Sequence, residues 1–314
     1  MALEFSSRKE TFPNYRVWET TLAGRPFVVE TGKMCGLSNG SCLVRYGETV
    51  VLCNVTMSEK PREGIDFFPL SVEFEEKLYA VGRIPGSFMR REGRPGEKAI
   101  LTSRVVDRPI RPLFPKEMRN DVCVTMTVMS VDQDCSPEIA GMIGTSIALS
   151  ISEIPWKGPI GGVFMGLVDG QLVVNPTLEQ RQNSDLQLTV AATMNKIVMI
   201  EAGANEVDEA TMLEAIKMAH GEIKKIIAFI NGIVAEIGKP KIDFVSMDLD
   251  YDLFTKIRAE YLDDFKAAMD TDDKNVRDAR LLPIQDKLEA EYPDLDDATV
   301  GLIMYKMQKY VVRR

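Results

Sequence analysis

Histidine is almost absent from this chain. His220 is the only one in 314 residues. A Ser-His-Asp or Cys-His mechanism would have to use it, and a zinc site mixing histidines with cysteines has no material. His220 falls inside an expected helix, Met218-Ala219-His220-Gly221-Glu222, where a packed or surface imidazole is a simpler reading than a catalytic base. The five cysteines (Cys35, Cys42, Cys53, Cys123 and Cys135) are odd in number, scattered and without a C-x-x-C pair. That pattern predicts free thiols in a reducing cytoplasm and no disulfide framework. No apolar run is long enough to span a bilayer. The start, Met1-Ala2-Leu3-Glu4-Phe5-Ser6-Ser7, lacks the basic residues and apolar core of a secretory signal. There is no P-loop, no G-x-G-x-x-G after a strand and no H-E-x-x-H.

What is present is an unusual local charge. The chain is acidic overall, with a formal net charge of -9. Yet the stretch from Arg83 to Arg111 holds seven arginines and one lysine against only Glu92, Glu97 and Asp107. A guanidinium is a planar fork of donors that matches phosphate oxygens and stacks on bases. Gly82, Gly86, Gly93 and Gly96, with Pro85 and Pro95, make the first part of the stretch a loop whose backbone can approach a strand closely. Phe88 beside Arg90, Arg91 and Arg94 offers a ring for a base, worth roughly 1–3 kcal/mol. Leu101 to Val106 reads as helical and brings Arg104, Arg108 and Arg111 together at three- and four-residue spacing. The candidate polyanion site is therefore Phe88, Arg90, Arg91, Arg94, Arg104, Arg108 and Arg111. A structural reading stands beside it: arginines pairing with Glu73, Glu75, Glu76 and Asp107 to hold loops or subunits. For Asp107 and one or two arginines that pairing is the expectation.

The first 240 residues carry strand signals and few helices. Arg25–Gly32, Ser41–Val55 with a hairpin at Tyr46-Gly47-Glu48, Phe68–Phe74 and Asp121–Val131 alternate apolar and polar residues or run β-branched. Ile139–Ile151, made of small and apolar residues, predicts a buried helix covering the sheet, stopped by Pro155. Gly162–Val168 and Gln171–Val174 flank Asp169-Gly170, a type I′ hairpin signal. Strands follow at Leu186–Val190 and Lys196–Glu201, then a long helix over Glu209–Ile237 capped by Asp208. After Pro240 strand signals vanish. Between Lys241 and Val300 there are 17 acidic against 8 basic residues, in helix-period patterns such as Leu253-Ile257-Tyr261-Leu262-Phe265 and Val300-Ile303-Met304-Met307-Val311. The expectation is an α/β (α+β) domain over 1–240 and a small all-α domain over 241–314. The acidic helices are most simply a solvated face, which would also repel RNA toward the arginines. The final helix pattern reaches the last residue without a cap, which predicts that the chain is cut from something longer.

The run FFPLSVEFEEKLYAVGRIPGSFMRREGRPGEKAILTSRVVDRPIRPLFP closely resembles the N-terminal part of the bacterial polynucleotide phosphorylases, as do GPIGGVFMGLVDGQLVVNPT and the ending YVVRR. The resemblance spans essentially the whole chain. It implies a first RNase PH-like domain, a mixed β-sheet with packed helices, followed by the family's all-helical linker domain. It implies a cytoplasmic enzyme that phosphorolyses single-stranded RNA from the 3′ end. Inorganic phosphate is consumed and nucleoside diphosphates are released, Mg²⁺ assists, and the reverse reaction makes RNA. It further implies a homotrimeric ring, with RNA-degradosome proteins as possible company. In that ring the arginine loop would line a central channel, Phe88 at the constriction and Arg90, Arg91 and Arg94 on RNA phosphates. Met89 stands where the family usually has a second phenylalanine.

The resemblance also implies that this copy does not carry the chemistry. The family's catalytic second domain binds phosphate at a serine-rich turn, where this chain reads Ser136-Pro137-Glu138. Its metal-binding acidic run corresponds here to Gln180–Thr189, in which only Asp185 is a carboxylate, Arg181 replaces an acid and Thr189 replaces a lysine. One carboxylate beside an arginine is a poor site for a hard cation. No catalytic residue and no metal ligand are therefore assigned, and the expected role is RNA guidance and ring building. Two alternatives are a purely structural scaffold and a copy that retains a phosphorolytic site.

Overall fold

A computed structural model of the chain describes residues 12–313 apart from 63, 64, 66, 87, 245, 247 and 248. The chain forms two compact units, 1–245 and 246–314.

The first unit contains two sheets. One is built from β1 (Arg16–Leu22), β2 (Arg25–Thr31), β3 (Gly40–Tyr46), β4 (Thr49–Pro61), β5 (Leu70–Glu76) and β6 (Asn120–Ser130), in the order β1-β2-β3-β4-β6-β5. Neighbours are antiparallel except β5 and β6, which run parallel. The alternation along β6 explains its place. Val122, Val124, Met126 and Val128 turn to the core while the residues between them stay partly exposed. The second sheet holds β7 (Gly161–Val168), β8 (Gln171–Val174), β9 (Leu186–Ala192) and β10 (Ile197–Ala204), in the order β10-β9-β7-β8. Its β7–β8 hairpin turns on Asp169 and Gly170, both at positive φ, as the type I′ signal predicts.

The helices of this unit are α1 (Glu97–Ile110), α2 (Pro137–Ile151), the single turn α3 (Leu178–Gln182) and α4 (Glu209–Ile237). α2 lies on β3 and β4 of one sheet and on β7 of the other. Every residue of it except Glu138 is buried. Its small residues allow that closeness. A Cβ at Gly144 would sit 2.5 Å from Cys53 Sγ and 2.9 Å from Val44 Cγ2. α4 starts at Asp208, whose carboxylate accepts from Thr211 N at 2.9 Å, and buries Ala219, Ile223, Ile227, Ile230 and Ile233. Past its end, Lys241 Nζ donates to the carbonyl oxygens of Leu149, Ser150 and Ser152 at 2.7–3.1 Å, satisfying the C-terminus of α2.

The second unit is all helical: α5 (Tyr251–Met269), α6 (Lys274–Glu291) and α7 (Asp297–Val312). Asp250, Asp273 and Asp296 cap the three helices, so part of the acidic character seen in the sequence is capping chemistry. Ile257, Tyr261, Phe265, Leu288, Ile303 and Met307 form its core. The expected mixed α/β unit with packed helices and the following helical segment are both present.

All five cysteines are free, with Cys42 and Cys53 facing each other in register across β3 and β4. No helix among the described residues is long and apolar enough to cross a membrane.

Candidate nucleic-acid interface

The arginine stretch divides into a loop and a helix. After β5, a short 3-10 turn at Leu78–Val81 ends at Gly82, whose φ of +71° is a left-handed cap. The loop then runs to Gly96, where α1 begins. Its return arm is tied down by Glu92, which accepts from Leu78 N at 2.9 Å. Glu92, the acid within the loop, thus takes part in a backbone hydrogen bond. Phe88 is 99% exposed and Met89 61% exposed, so two large apolar side chains stand in solvent at the tip. Arg90 sits at φ +50°, a conformation that costs an L-residue roughly 1–2 kcal/mol.

The paired-arginine reading is decided by who takes the carboxylates. Glu75 pairs with Lys77 at 2.6 Å, and Glu76 lies 3.8 Å from Lys98. Asp107 holds Arg111 through two parallel bonds of 2.9 and 2.6 Å, the bidentate geometry of a strong pair. Arg111 also donates to the carbonyls of Phe68 and Leu70 at 3.3 and 3.0 Å, clamping α1 to the start of β5. Arg108 is paired with Glu201 on β10. Arg111 is therefore committed inside the chain and Arg108 is half committed. Among the described residues, the side chains of Arg83, Arg90, Arg91, Arg94 and Arg104 are exposed and make no hydrogen bond or ion pair. The structure brings Arg104 and Arg108 onto α1 and keeps Phe88, Arg90, Arg91 and Arg94 together in the loop.

A cavity of about 460 Å³ lies elsewhere, and Glu138 of α2, Arg181 of α3 and Thr189 of β9, three of the positions that the resemblance sets against the family's catalytic domain, line it together with Lys98 of α1 and Glu201 of β10. Asp185 does not. It is exposed and accepts from Asn205 Nδ2 at 3.5 Å. The charges of the cavity neutralise one another. Lys98 Nζ lies 3.0 Å from Glu138 Oε1, and the Ser136 hydroxyl donates to Oε2 of the same carboxylate. Burial works to raise the Glu138 carboxyl, but Ser136 and Lys98 outweigh it and hold the group below the ordinary glutamate value. Arg181 donates to the Gln133 carbonyl, while its Nε is buried without a partner among the described residues.

This donor set does not fit Mg²⁺. Its two carboxylates are each taken by a cation, and the cationic Arg181 lines the same space. Nor do three histidine, cysteine or acidic side chains come together as a ligand group among the described residues. His220 meets the Thr193 carbonyl through Nε2 at 3.1 Å, a satisfied helix-side imidazole.

One pairing has no counterpart in the sequence pattern. Lys98 was counted with the basic cluster, whereas the fold places it on Glu138. Its position as the second residue of α1 carried no signal of that.

Three comparisons place these features among known proteins. The pattern of the 3′ exoribonuclease family, domain 1, matches residues 23–155, and that of domain 2 of the same family matches residues 158–222. A polyribonucleotide nucleotidyltransferase of Ruminiclostridium cellulolyticum is 54% identical over 303 residues, 95% of this chain and 43% of that protein. One of Clostridioides difficile is 56% identical over 260 residues, 83% of this chain and 37% of its own length. The chain thus spans less than half the length of these relatives. The crystal structure of rice Rrp46 superposes with a TM-score of 0.54 at 15% identity, covering 70% of this chain and 94% of Rrp46, a likeness of fold.

Proposed function

The chain belongs to the 3′ exoribonuclease family of RNase PH domains, and from that premise we propose that it is the RNA-guiding part of a polyribonucleotide nucleotidyltransferase. The complete protein degrades RNA 3′ to 5′ by phosphorolysis, consuming inorganic phosphate and releasing nucleoside diphosphates. It works in the cytoplasm as a homotrimeric ring, in contact with RNA-degradosome proteins. Arg90, Arg91 and Arg94 grip the phosphates of a single strand entering the channel, Phe88 stacks on a base, and Arg104 extends the track. Arg108 and Arg111, which have partners within the chain, chiefly hold α1 in place.

The observation that carries this reading is the exposed loop. Three guanidinium groups without a hydrogen bond or ion pair among the described residues share one glycine-rich segment with a fully exposed ring. Solvated cations on a defined loop have no structural work to do, and a polyanion supplies partners for all of them. Phosphorolysis and its Mg²⁺ belong to the region of the relatives that this chain does not match. What supports this is the lining of the cavity, where Glu138 would repel an incoming phosphate and Arg181 would repel a metal ion.

Filter binding of a single-stranded oligoribonucleotide to the 314-residue chain, with mass by light scattering, tests the binding role. Salt-sensitive binding is expected. A phosphate-dependent assay on the same chain should show no nucleoside diphosphate above background. Release above background would return the chemistry to this copy.

A further inference from the structure

Glu92 is an acid in the middle of a basic loop. Arg90 and Arg91 precede it, and Arg94 follows two residues later. On charge alone it works against the arginines, because a carboxylate there repels the polyanion that they attract. Its place in the fold gives it a different task.

Little else holds the loop. Between Val81 and Glu97 the described residues form no helix or strand. Among the described residues, the segment 84–95 makes one hydrogen bond and no ion pair to the rest of the chain: Glu92 Oε1 accepts from Leu78 N at 2.9 Å. Leu78 is an anchor for both arms. It opens the 3-10 turn Leu78–Val81, which lies against β6. Its carbonyl accepts from Arg83 N at 3.0 Å, just after the chain leaves the turn through the left-handed Gly82. The outgoing arm is thus fixed on the Leu78 carbonyl and the return arm on the Leu78 N–H. Lys77 stands beside this knot. Its ammonium is raised above the ordinary lysine value, chiefly by its bond to Glu75 and to a lesser degree by the charge of Glu92.

We propose that Glu92 is a positioning residue for RNA binding: its carboxylate staples the return arm to the Leu78 amide and so holds Arg90, Arg91 and Arg94 where a polynucleotide meets them together. The physical gain is preorganisation. A loop already closed at its neck loses less conformational freedom when its arginines take up phosphates, and that saving appears as affinity. The inference rests on the loop being the RNA contact.

The test uses the full 314-residue chain in four forms: unchanged, Glu92→Gln, Glu92→Ala, and Arg90→Ala with Arg91→Ala and Arg94→Ala. Glu92→Gln and Glu92→Ala remove the same charge, but the amide keeps an oxygen that accepts from Leu78 N. Their difference isolates the staple from the charge. Affinity for a single-stranded oligoribonucleotide is measured across a salt series, and amide exchange is followed by mass spectrometry. Glu92→Ala is expected to bind about three- to tenfold more weakly than Glu92→Gln, the worth of one hydrogen bond. The two salt slopes should coincide, since both variants carry the same charge. Exchange across 78–95 should quicken in Glu92→Ala and not in Glu92→Gln. Denaturation midpoints should agree for both, because Glu92 is exposed. Equal affinity of the two variants, or tighter binding by Glu92→Ala, overturns the proposal and leaves Glu92 acting through its charge. The arginine variant separates the two failures. If it binds as the unchanged chain does, the loop reading falls and this inference with it. If it weakens binding while Glu92→Ala matches Glu92→Gln, the loop reading stands and the staple alone falls.

Discussion

Arg91 and Arg111 are the same residue type, twenty positions apart in one basic stretch, and the structure gives them opposite circumstances. Arg111 has a carboxylate one helical turn away and two strand carbonyls beyond it, so its fork is filled. Arg91 lies in a loop whose one acid is bonded to Leu78 N, so its fork is open. The cavity beside α2 repeats the first case, with Glu138 between Ser136 and Lys98. Cations with internal partners build the fold. Cations without them are available for a ligand. What separates the two is the distance to a free carboxylate, not the density of arginine in the sequence.

The strongest way to break this contrast is to remove the open cations. Arg90→Ala with Arg91→Ala and Arg94→Ala should cost about 3 kcal/mol in binding a single-stranded oligoribonucleotide and flatten its salt dependence by about two in slope. Denaturation midpoints should not move, and a fall in stability comparable to the loss of binding would place these arginines with Arg111.

The closed side is probed at Glu138. Glu138→Gln should destabilise the first unit by about 1–2 kcal/mol at neutral pH, chiefly because the largely buried carboxylate loses its charge-assisted bond from Ser136; the ion pair adds little, since Lys98 is 68% exposed. The carboxyl is held below its unfolded value of about 4.3. Its contribution is therefore fully present above that pH and lost as the pH falls through the folded value. Urea melts of both proteins should converge as the pH falls through that depressed value, and a gap that persists in the acid limit would assign the effect to packing.

Phe88→Ala sharpens the loop side alone. It should weaken RNA binding by about 1–2 kcal/mol with little change in salt slope, since a stacked ring carries no charge. Stability should be unaltered for a side chain that buries nothing.

Arg111→Met gives the smallest effect. A loss of about 1 kcal/mol in stability is expected for an exposed but bidentate pair. RNA affinity should change less than in any loop variant, and a drop as large as that of the loop variant would erase the distinction.

Much of the fold was legible in the residues. Period-two alternation marked β5 and β6, Tyr46-Gly47-Glu48 and Asp169-Gly170 marked hairpins, and Asp208 marked the start of α4, because these depend on neighbours in the chain. β1 carried no clear signal: Arg16–Leu22 is largely exposed and polar, so it has little apolar alternation. α6 was likewise not separable by pattern, with Pro283 inside it and few apolar positions to set a stripe. The parallel pairing of β5 with β6 was equally out of reach, since it joins segments separated by the whole loop and α1.

The sequence by itself determined the amounts: one histidine, five scattered thiols, an acidic chain with one basic stretch, and the apolar periods that commit it to sheets and helices. Those follow from composition and local spacing, which need no third dimension. Only the tertiary structure decided which charges meet. It set Lys98 on Glu138, Arg108 on Glu201 and Arg111 on Asp107, left the loop arginines open, and tied Glu92 to the Leu78 amide. Electrostatic partnership falls off over a few ångströms, and separations of that size between distant residues exist only once the chain has folded.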